Sequence, residues 1–192
     1  MELKARPFGV LAGYAAGLLL FAATQFDARA ANTVRASVQP EPQRKLAPDF
    51  SLKDATGKTI RPSSYRGRVV LLDFWATACG GCIEEIPAFV EIAQAYRRKG
   101  LAAVGVSEDI AYEDLKGPDE AWGRVKPFVR DHKMPYAVLM GDSQVTAAYD
   151  IKALPLTYLL DRRGRIAATY VGVVDRANVE ANIALLLRES KK

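Results

Sequence analysis

The sequence predicts an α/β fold: a mixed central sheet flanked by helices. Three observations predict it. Strand-like and helix-like segments alternate through the middle of the chain. Arg68–Phe74 and Leu101–Ser107 are apolar enough to be strands covered on both faces. A hairpin followed by one helix closes the chain.

Each element has its own signal. Pro48–Leu52 alternates like a short strand, Asp54–Lys58 is a turn, and Thr59–Ile60 begins the return strand. Arg68–Phe74 is the central strand, with Asp73 near its end. Ile83, Ile86, Phe89, Val90 and Ala93 then recur at helical spacing, and Gly100 stops that helix just after Lys99. Leu101–Ser107 is the second buried strand. Gly117-Pro118 interrupts the chain, and Asp119 can cap a helix through Trp122, Val125, Phe128 and Val129. Tyr136–Met140 reads as a short strand and Ser143–Tyr149 as a short helix. Leu156–Leu160 and Ile166–Val171 form a hairpin across Asp161–Gly164, and Ala177–Arg188 is the last helix.

The amino-terminal end has a different character. Lys4 and Arg6 precede an uncharged apolar run, Phe8–Thr24, of about 17 residues, at the short limit for crossing a bilayer. Ala28-Arg29-Ala30 fits the small-x-small pattern of a secretory cleavage site. Residues 1–30 therefore read as a signal peptide or a signal anchor, with Lys4 and Arg6 staying cytoplasmic. Residues 31–47, polar and carrying Pro40 and Pro42, read as a linker, and 48–192 as the folded domain. The rest of the chain is then extracytoplasmic, or periplasmic, either soluble after cleavage or anchored to the inner membrane. Disulfides persist in such a compartment.

The 192 residues carry a formal net charge of +5, without a long run of one sign. Arg97-Arg98-Lys99, Arg162-Arg163-Gly164-Arg165 and Lys191-Lys192 are short clusters at helix ends and a turn. They read as solvated faces, with no nucleic-acid partner.

The two cysteines, Cys79 and Cys82, are the chemically informative pair. A structural zinc site needs four ligands, and the chain adds only His132, fifty positions beyond Cys82. Copper(I) is less demanding, and Met134 lies near His132. A copper(I) chaperone using the same two sulfurs therefore stands as an alternative. A purely structural staple across two residues would remove little chain entropy. A working dithiol fits best. Cys79 follows a buried strand, Gly80-Gly81 opens the next helix, and Cys82 lies inside it. The first amides of a helix lack intrahelical partners and favour an anion, here the Cys79 sulfur. Lowering its pKa from about 8.5 to about 7 raises the thiolate fraction at pH 7 from about 3% to about 50%. The weaker nucleophilicity takes back about fivefold of that. The larger gain is faster resolution of a mixed disulfide by Cys82, which attacks that low-pKa sulfur. Such a centre needs no cofactor beyond its own redox-active disulfide, and no metal.

Asp73, six residues before Cys79, ends an apolar strand. Desolvation there should raise its pKa and let it take the proton of Cys82. Glu108, after the second strand, is a weaker acid candidate. Pro155 cannot sit in mid-strand. Read alone it suits the start of a trans strand, although a cis Leu154–Pro155 bond would expose the Leu154 backbone to an extended substrate.

Taken together these residues resemble a known family. Asp73-Phe74-Trp75-Ala76 followed by Cys79-x-x-Cys82 resembles the thioredoxin active site. Pro48-Asp49-Phe50-x-Leu52, Asp54-x-x-Gly57-Lys58, Gly67-x-Val69-Val70-Leu71-Leu72, and Glu84 and Glu85 before Pro87 are similar to the TlpA/ResA/DsbE-like branch. So is Leu154-Pro155 followed by Leu159-Leu160-Asp161-x-x-Gly164-x-Ile166. The resemblance implies a thioredoxin fold with an added N-terminal β-hairpin and a central insertion, and a cis Leu154–Pro155. It implies an exported thiol–disulfide oxidoreductase, a reductase serving cytochrome c maturation or copper-site assembly, or else a disulfide-inserting oxidase. Its catalytic residues would be Cys79, Cys82, Asp73 and Pro155, and substrate would meet Trp75, Gly80, Gly81 and Leu154. Partners would be protein thiols and disulfides and a membrane-embedded electron donor. The chain departs from the pattern at Ala78, where tryptophan is frequent, at Gly80-Gly81, where a proline is usual, at Leu156 in place of threonine, and in lacking the lysine that pairs with the buried aspartate. The expected potential lies nearer the thioredoxin value of about −270 mV than the DsbA value of about −120 mV. The peroxiredoxin pattern is absent, since Ala76 stands three residues before Cys79 and Thr77 only two.

Overall fold

The computed structural model describes residues 33–190. The leader expected over 1–30 lies outside the described residues. A two-stranded hairpin comes first, β1 (Leu52–Lys53) and β2 (Thr59–Ile60), closed by Asp54, whose carboxylate accepts from the Thr56 and Lys58 amides. The five-stranded sheet follows, with β3 (Val69–Trp75), β4 (Leu101–Ser107), β5 (Ala137–Met140), β6 (Leu156–Leu160) and β7 (Ile166–Val171) in the order β5-β4-β3-β6-β7. β3, β4 and β5 run parallel, while β6 and β7 are antiparallel additions. The helices are α1 (Gly80–Tyr96), the single turn α2 (Asp109–Tyr112), α3 (Pro118–Asp131), α4 (Ser143–Ala148) and α5 (Arg176–Arg188).

All seven residues of β3 are buried, because helices cover one face of the sheet and the hairpin and α4 cover the other. Val70, Leu72 and Phe74 face the hairpin side with Phe50, Leu52 and Tyr149. Val69 and Leu71 face Phe89 and Ile92 of α1 and Val179, Ile183 and Leu186 of α5. Trp75 and both cysteines join a third cluster with Ala121 and Val125 of α3. The insertion after β4 thus packs against the sheet's upper corner. α1 ends through a short 3-10 turn, Arg97–Lys99, and Gly100 takes the left-handed φ of 106° that the sequence assigns to a glycine stop.

Two sequence expectations change. The helix of the insertion is not capped by Asp119. It starts at Pro118, after Gly117, and Asp119 and Glu120 fill its first turn, where their charge suits the helix dipole. The segment 31–47, expected as a linker, is a packed strap over its described part. Val34, Ala36 and Val38 lie on the α5 side of the core. The strap exchanges backbone hydrogen bonds with the β7 side of the sheet, Gln39 N–H to Ala167 O at 2.8 Å and Ile166 N–H to Lys45 O at 2.8 Å. Arg44 fixes it. Its guanidinium, nearly buried, reaches the Asp161 carboxylate at 3.3 Å and the Glu189 carboxylate at 2.6 Å, and its Nε donates to Gln39 O. Prolines and polar residues suggested a tether, yet the alternation Val34-x-Ala36-x-Val38 is that of an extended segment with one apolar side.

Arg44→Ala should lower the unfolding free energy by about 1–3 kcal/mol, because it removes the charged hydrogen bonds that tie the strap to Asp161 and Glu189. Urea unfolding at neutral pH measures it, and a loss below about 0.5 kcal/mol would return the strap to the status of a surface decoration.

Candidate active site

Cys79 and Cys82 form a disulfide at the head of α1, with Cα atoms 5.2 Å apart. Cys79 is the residue that caps α1, and the Cys82 amide donates to its Sγ at 3.2 Å. The unpaired amides of the first turn thus have a sulfur to point at, which is how the sequence comes to place an anion-stabilising field on the first cysteine. Open exposure of that sulfur is not what the structure shows. Cys79 keeps 3% of its surface and Cys82 none. The difference still gives a direction, since an incoming group can touch only Cys79. Around it, Ala78 and Gly80 are exposed, Gly81 is partly covered, and Ile83 is 39% exposed.

The Leu154–Pro155 bond is cis. The proline ring lies against the turn that joins the cysteines. A Cβ on Gly81 would stand 3.2 Å from Pro155 Cδ and 3.1 Å from Val173 Cγ2. Glycine at 81 therefore lets the two segments approach closely, a role that a side chain could fill only by pushing them apart. Leu154, partly buried, sides with the cysteine cluster. Trp75, expected to meet substrate, does not reach the surface. It is fully buried and stacks on Phe128 with ring centroids 5.1 Å apart. As the last residue of a doubly covered strand, it faces the insertion instead.

Two buried carboxyl groups, one on β3 and one on α1, face each other. Asp73 is fully buried in β3, and its Oδ1 accepts from Thr157 Oγ1 at a long 3.4 Å. Glu85, three residues after Cys82 and on the same side of α1, is also buried, and its Oε2 accepts from the Val174 amide at 3.2 Å. Among the described residues no lysine or arginine forms an ion pair with either. Burial pushes Asp73 up to about 7, against the pull of Thr157 and Glu85. Burial and then the charge of Asp73 push Glu85 up to about 10. Near neutral pH the pair therefore holds one proton and can take or give another. Sequence reasoning noted Glu85 only as part of a pattern. The signal was an acid set into the apolar stripe of Cys82, Ile86 and Phe89.

A second buried group was also missed. Asp109, in α2, holds the loop before Cys79: both its oxygens accept from the Thr77 amide, at 3.1 and 3.3 Å, and the Thr77 hydroxyl also binds it. Ser107 Oγ donates to its other side at 2.7 Å. Thr77 reaches Glu113 as well, and Glu113 pairs with Arg124 of α3, so the insertion and the cysteine loop are one hydrogen-bonded unit. Glu108 is nearly buried, accepts from Thr146 Oγ1 at 2.6 Å and is pushed by burial up to about 7. It lines a cleft of about 160 Å³ with Tyr112 and Leu154. His132 is engaged elsewhere. Its ring stacks on Phe128 at 3.9 Å and its Nδ1 lies 3.0 Å from Phe128 O. Met134 packs in the cysteine cluster.

Comparison with known proteins agrees with this geometry. The AhpC/TSA family model matches residues 44–169. The chain belongs to the AhpC/TSA family. Its relatives are named as thioredoxin-like proteins and thiol-disulfide oxidoreductases. The thioredoxin-like protein YneN of Bacillus subtilis is 32% identical over 72% of this chain and 77% of its own length. The thiol-disulfide oxidoreductase ResA of Geobacillus kaustophilus is 31% identical over 71% and 74%. Among solved structures, a thiol:disulfide interchange protein DsbE from Chlorobium tepidum superposes with a TM-score of 0.63, at 27% identity, over 81% of this chain and 99% of that one. This AhpC/TSA member has a thioredoxin-like fold and is a thiol–disulfide oxidoreductase.

The buried carboxyls make stability depend on pH. A carboxyl whose pKa is raised by folding holds its proton more tightly when folded, so its stabilising share is complete below the unfolded value near 4. That share is lost as pH rises through about 7 for Asp73 and onward to about 10 for Glu85. Asp73→Asn should flatten the fall in unfolding free energy between pH 4 and pH 8 by an amount on the order of a few kcal/mol. Urea titrations of the oxidised protein at both pH values give the answer, and equal slopes in the two proteins would contradict the buried ionisation.

Proposed function

We propose that the protein is an extracytoplasmic protein-disulfide reductase working through Cys79 and Cys82. The observation that carries this reading is the asymmetric disulfide. One sulfur caps a helix and retains the pair's residual surface beside Pro155, and the other is sealed one helical turn before Glu85 of the raised carboxyl pair.

In the reduced protein the Cys79 thiolate attacks a substrate disulfide. A Cys79–substrate bond forms, the substrate's own S–S bond breaks, and one substrate sulfur leaves as a thiolate that picks up a proton. Cys82 then gives its proton to Asp73 and attacks Cys79 Sγ. The Cys79–Cys82 bond re-forms, and the second substrate sulfur leaves. The substrate has gained two electrons and two protons, and the enzyme is the disulfide present in this structure. A dithiol donor must then recharge it, and a membrane-embedded one fits an enzyme exported behind the segment 1–30. Because the α1 amides draw charge from Cys79 Sγ, the sulfur that Cys82 attacks, it is the more electrophilic end of the mixed disulfide, which is therefore short-lived. Pro155 and Leu154 supply an extended edge beside Cys79 along which a substrate chain can lie. Gly80 and Gly81 leave room for it, and Ala78 keeps the rim low.

The substrate class favoured by the TlpA/ResA/DsbE-like resemblance and by the export segment is a protein thiol pair kept reduced before a cofactor is attached, as in cytochrome c maturation or copper-site assembly. Cys82→Ser should leave a partner covalently held on Cys79, releasable by dithiothreitol, and should abolish insulin reduction. Absence of any trapped partner together with a potential near the DsbA value of about −120 mV would instead make the protein an oxidase. Tight retention of copper(I) on the wild-type pair would favour the chaperone.

A further inference from the structure

The sheet row through Asp73 has a bare position beside it. Asp73 of β3 is in register with Gly105 of β4 on one side and Thr157 of β6 on the other. A Cβ at Gly105 would stand 2.7 Å from Trp75 Nε1 and 3.5 Å from Tyr136 Cε2. The indole N–H and the Tyr136 ring thus occupy the place of a side chain one strand spacing, about 4.8 Å, from Asp73.

The polar atoms around this place are unmatched. Among the described residues six buried side-chain polar atoms have no hydrogen-bond partner, and four belong here. Two are acceptors, Asp73 Oδ2 and Glu85 Oε1. Two can donate, Trp75 Nε1 and Tyr136 Oη. Buried polar groups seldom stay unpaired, because each unmade hydrogen bond costs about 1–3 kcal/mol. Asp73 and Glu85 bond each other through the proton they share, and neither donor bonds them in that state; when that proton leaves, two acceptors have two unused donors beside them around Gly105.

We propose that the Tyr136 hydroxyl and the Trp75 indole N–H turn to the Asp73–Glu85 pair as donors once its shared proton leaves, and that Tyr136 is thereby a positioning residue for the proton step at Cys82. The inference rests on the reading of Asp73 as the base. It supplies what the missing lysine leaves open, a neutral source of support where a cation would be expected. The negative charges of Asp73 and Glu85 both act on Tyr136 and, with burial, hold its phenol in the protonated, donating form. The other titratable groups facing the pair are the two cysteines and, from the outer side of α1, Glu84. From β6 the pair meets Thr157. The far edge of Tyr136 reaches two surface grooves that carry Arg68 and Arg97, and Lys126 and Arg130.

Tyr136→Phe keeps the ring and removes the donor. Losing a donor to the charged form raises a carboxyl's pKa, so the titration midpoint of the pair, read by carboxyl-carbon NMR on the oxidised protein, should rise by about one unit. The pH profile of mixed-disulfide resolution should move up equally, about tenfold slower on its acid limb, while first attack by Cys79, read in the Cys82→Ser background, keeps its profile. Trp75→Phe should shift the midpoint in the same direction and serves if the first variant folds poorly. An unmoved NMR midpoint in Tyr136→Phe overturns the proposal. A moved midpoint with Asp73→Asn leaving the resolution profile intact keeps the hydrogen-bond assignment and sinks the base reading alone.

Discussion

Two acids share an enclosed space between β3 and α1 in which the described residues place no cation. That constraint organises the rest of the molecule. Asp73 is held there because its strand is covered on both faces, and Glu85 because it lies on the side of α1 that must pack on the sheet. Proteins avoid such pairs unless something uses them, since burial opposes the charge on each and each opposes the charge on the other. Here the expense falls one helical turn from Cys82. The sealed position of Cys82 and the shifted acids are therefore two sides of one arrangement: the low-dielectric surroundings that hide the sulfur are what push both carboxyls up.

The rigid parts of the site come from neighbouring segments that have little to do with one another in sequence. α1 fixes Cys79 through its own first turn. Asp109 ties Thr77 to the insertion, and Pro155 presses on Gly81 from the far side. Each contact is small, but they meet the cysteine turn from three directions. Sites that depend on sub-ångström placement need such support from outside the reacting groups.

Much of this was legible beforehand. The strands over Arg68–Phe74 and Leu101–Ser107, the helix after the cysteines, the glycine stop at Gly100 and the closing hairpin each follow from local pattern, and the structure has them within a residue or two. The dithiol, the buried Asp73 and the proline beside it followed from spacing and resemblance. What escaped depended on partners distant in the chain. Trp75 looked like a surface aromatic beside the active site, and only the placement of Phe128 shows it to be interior. Asp109 looks like any acid after a strand until Thr77 is seen bonded to it. The strap was misread because polarity and prolines outweighed a three-residue alternation, and because Arg44 finds its acceptors more than a hundred residues away.

The strap has a further bearing. It lies along β7, while the β1–β2 hairpin touches the opposite margin through Asp54 and Leu139. Each outer strand therefore already has a neighbour, and a stray extended chain finds few free amides there to join. A thiol–disulfide oxidoreductase acting on protein thiols meets other polypeptide chains. Closing both margins protects the molecule from strand-to-strand association with them.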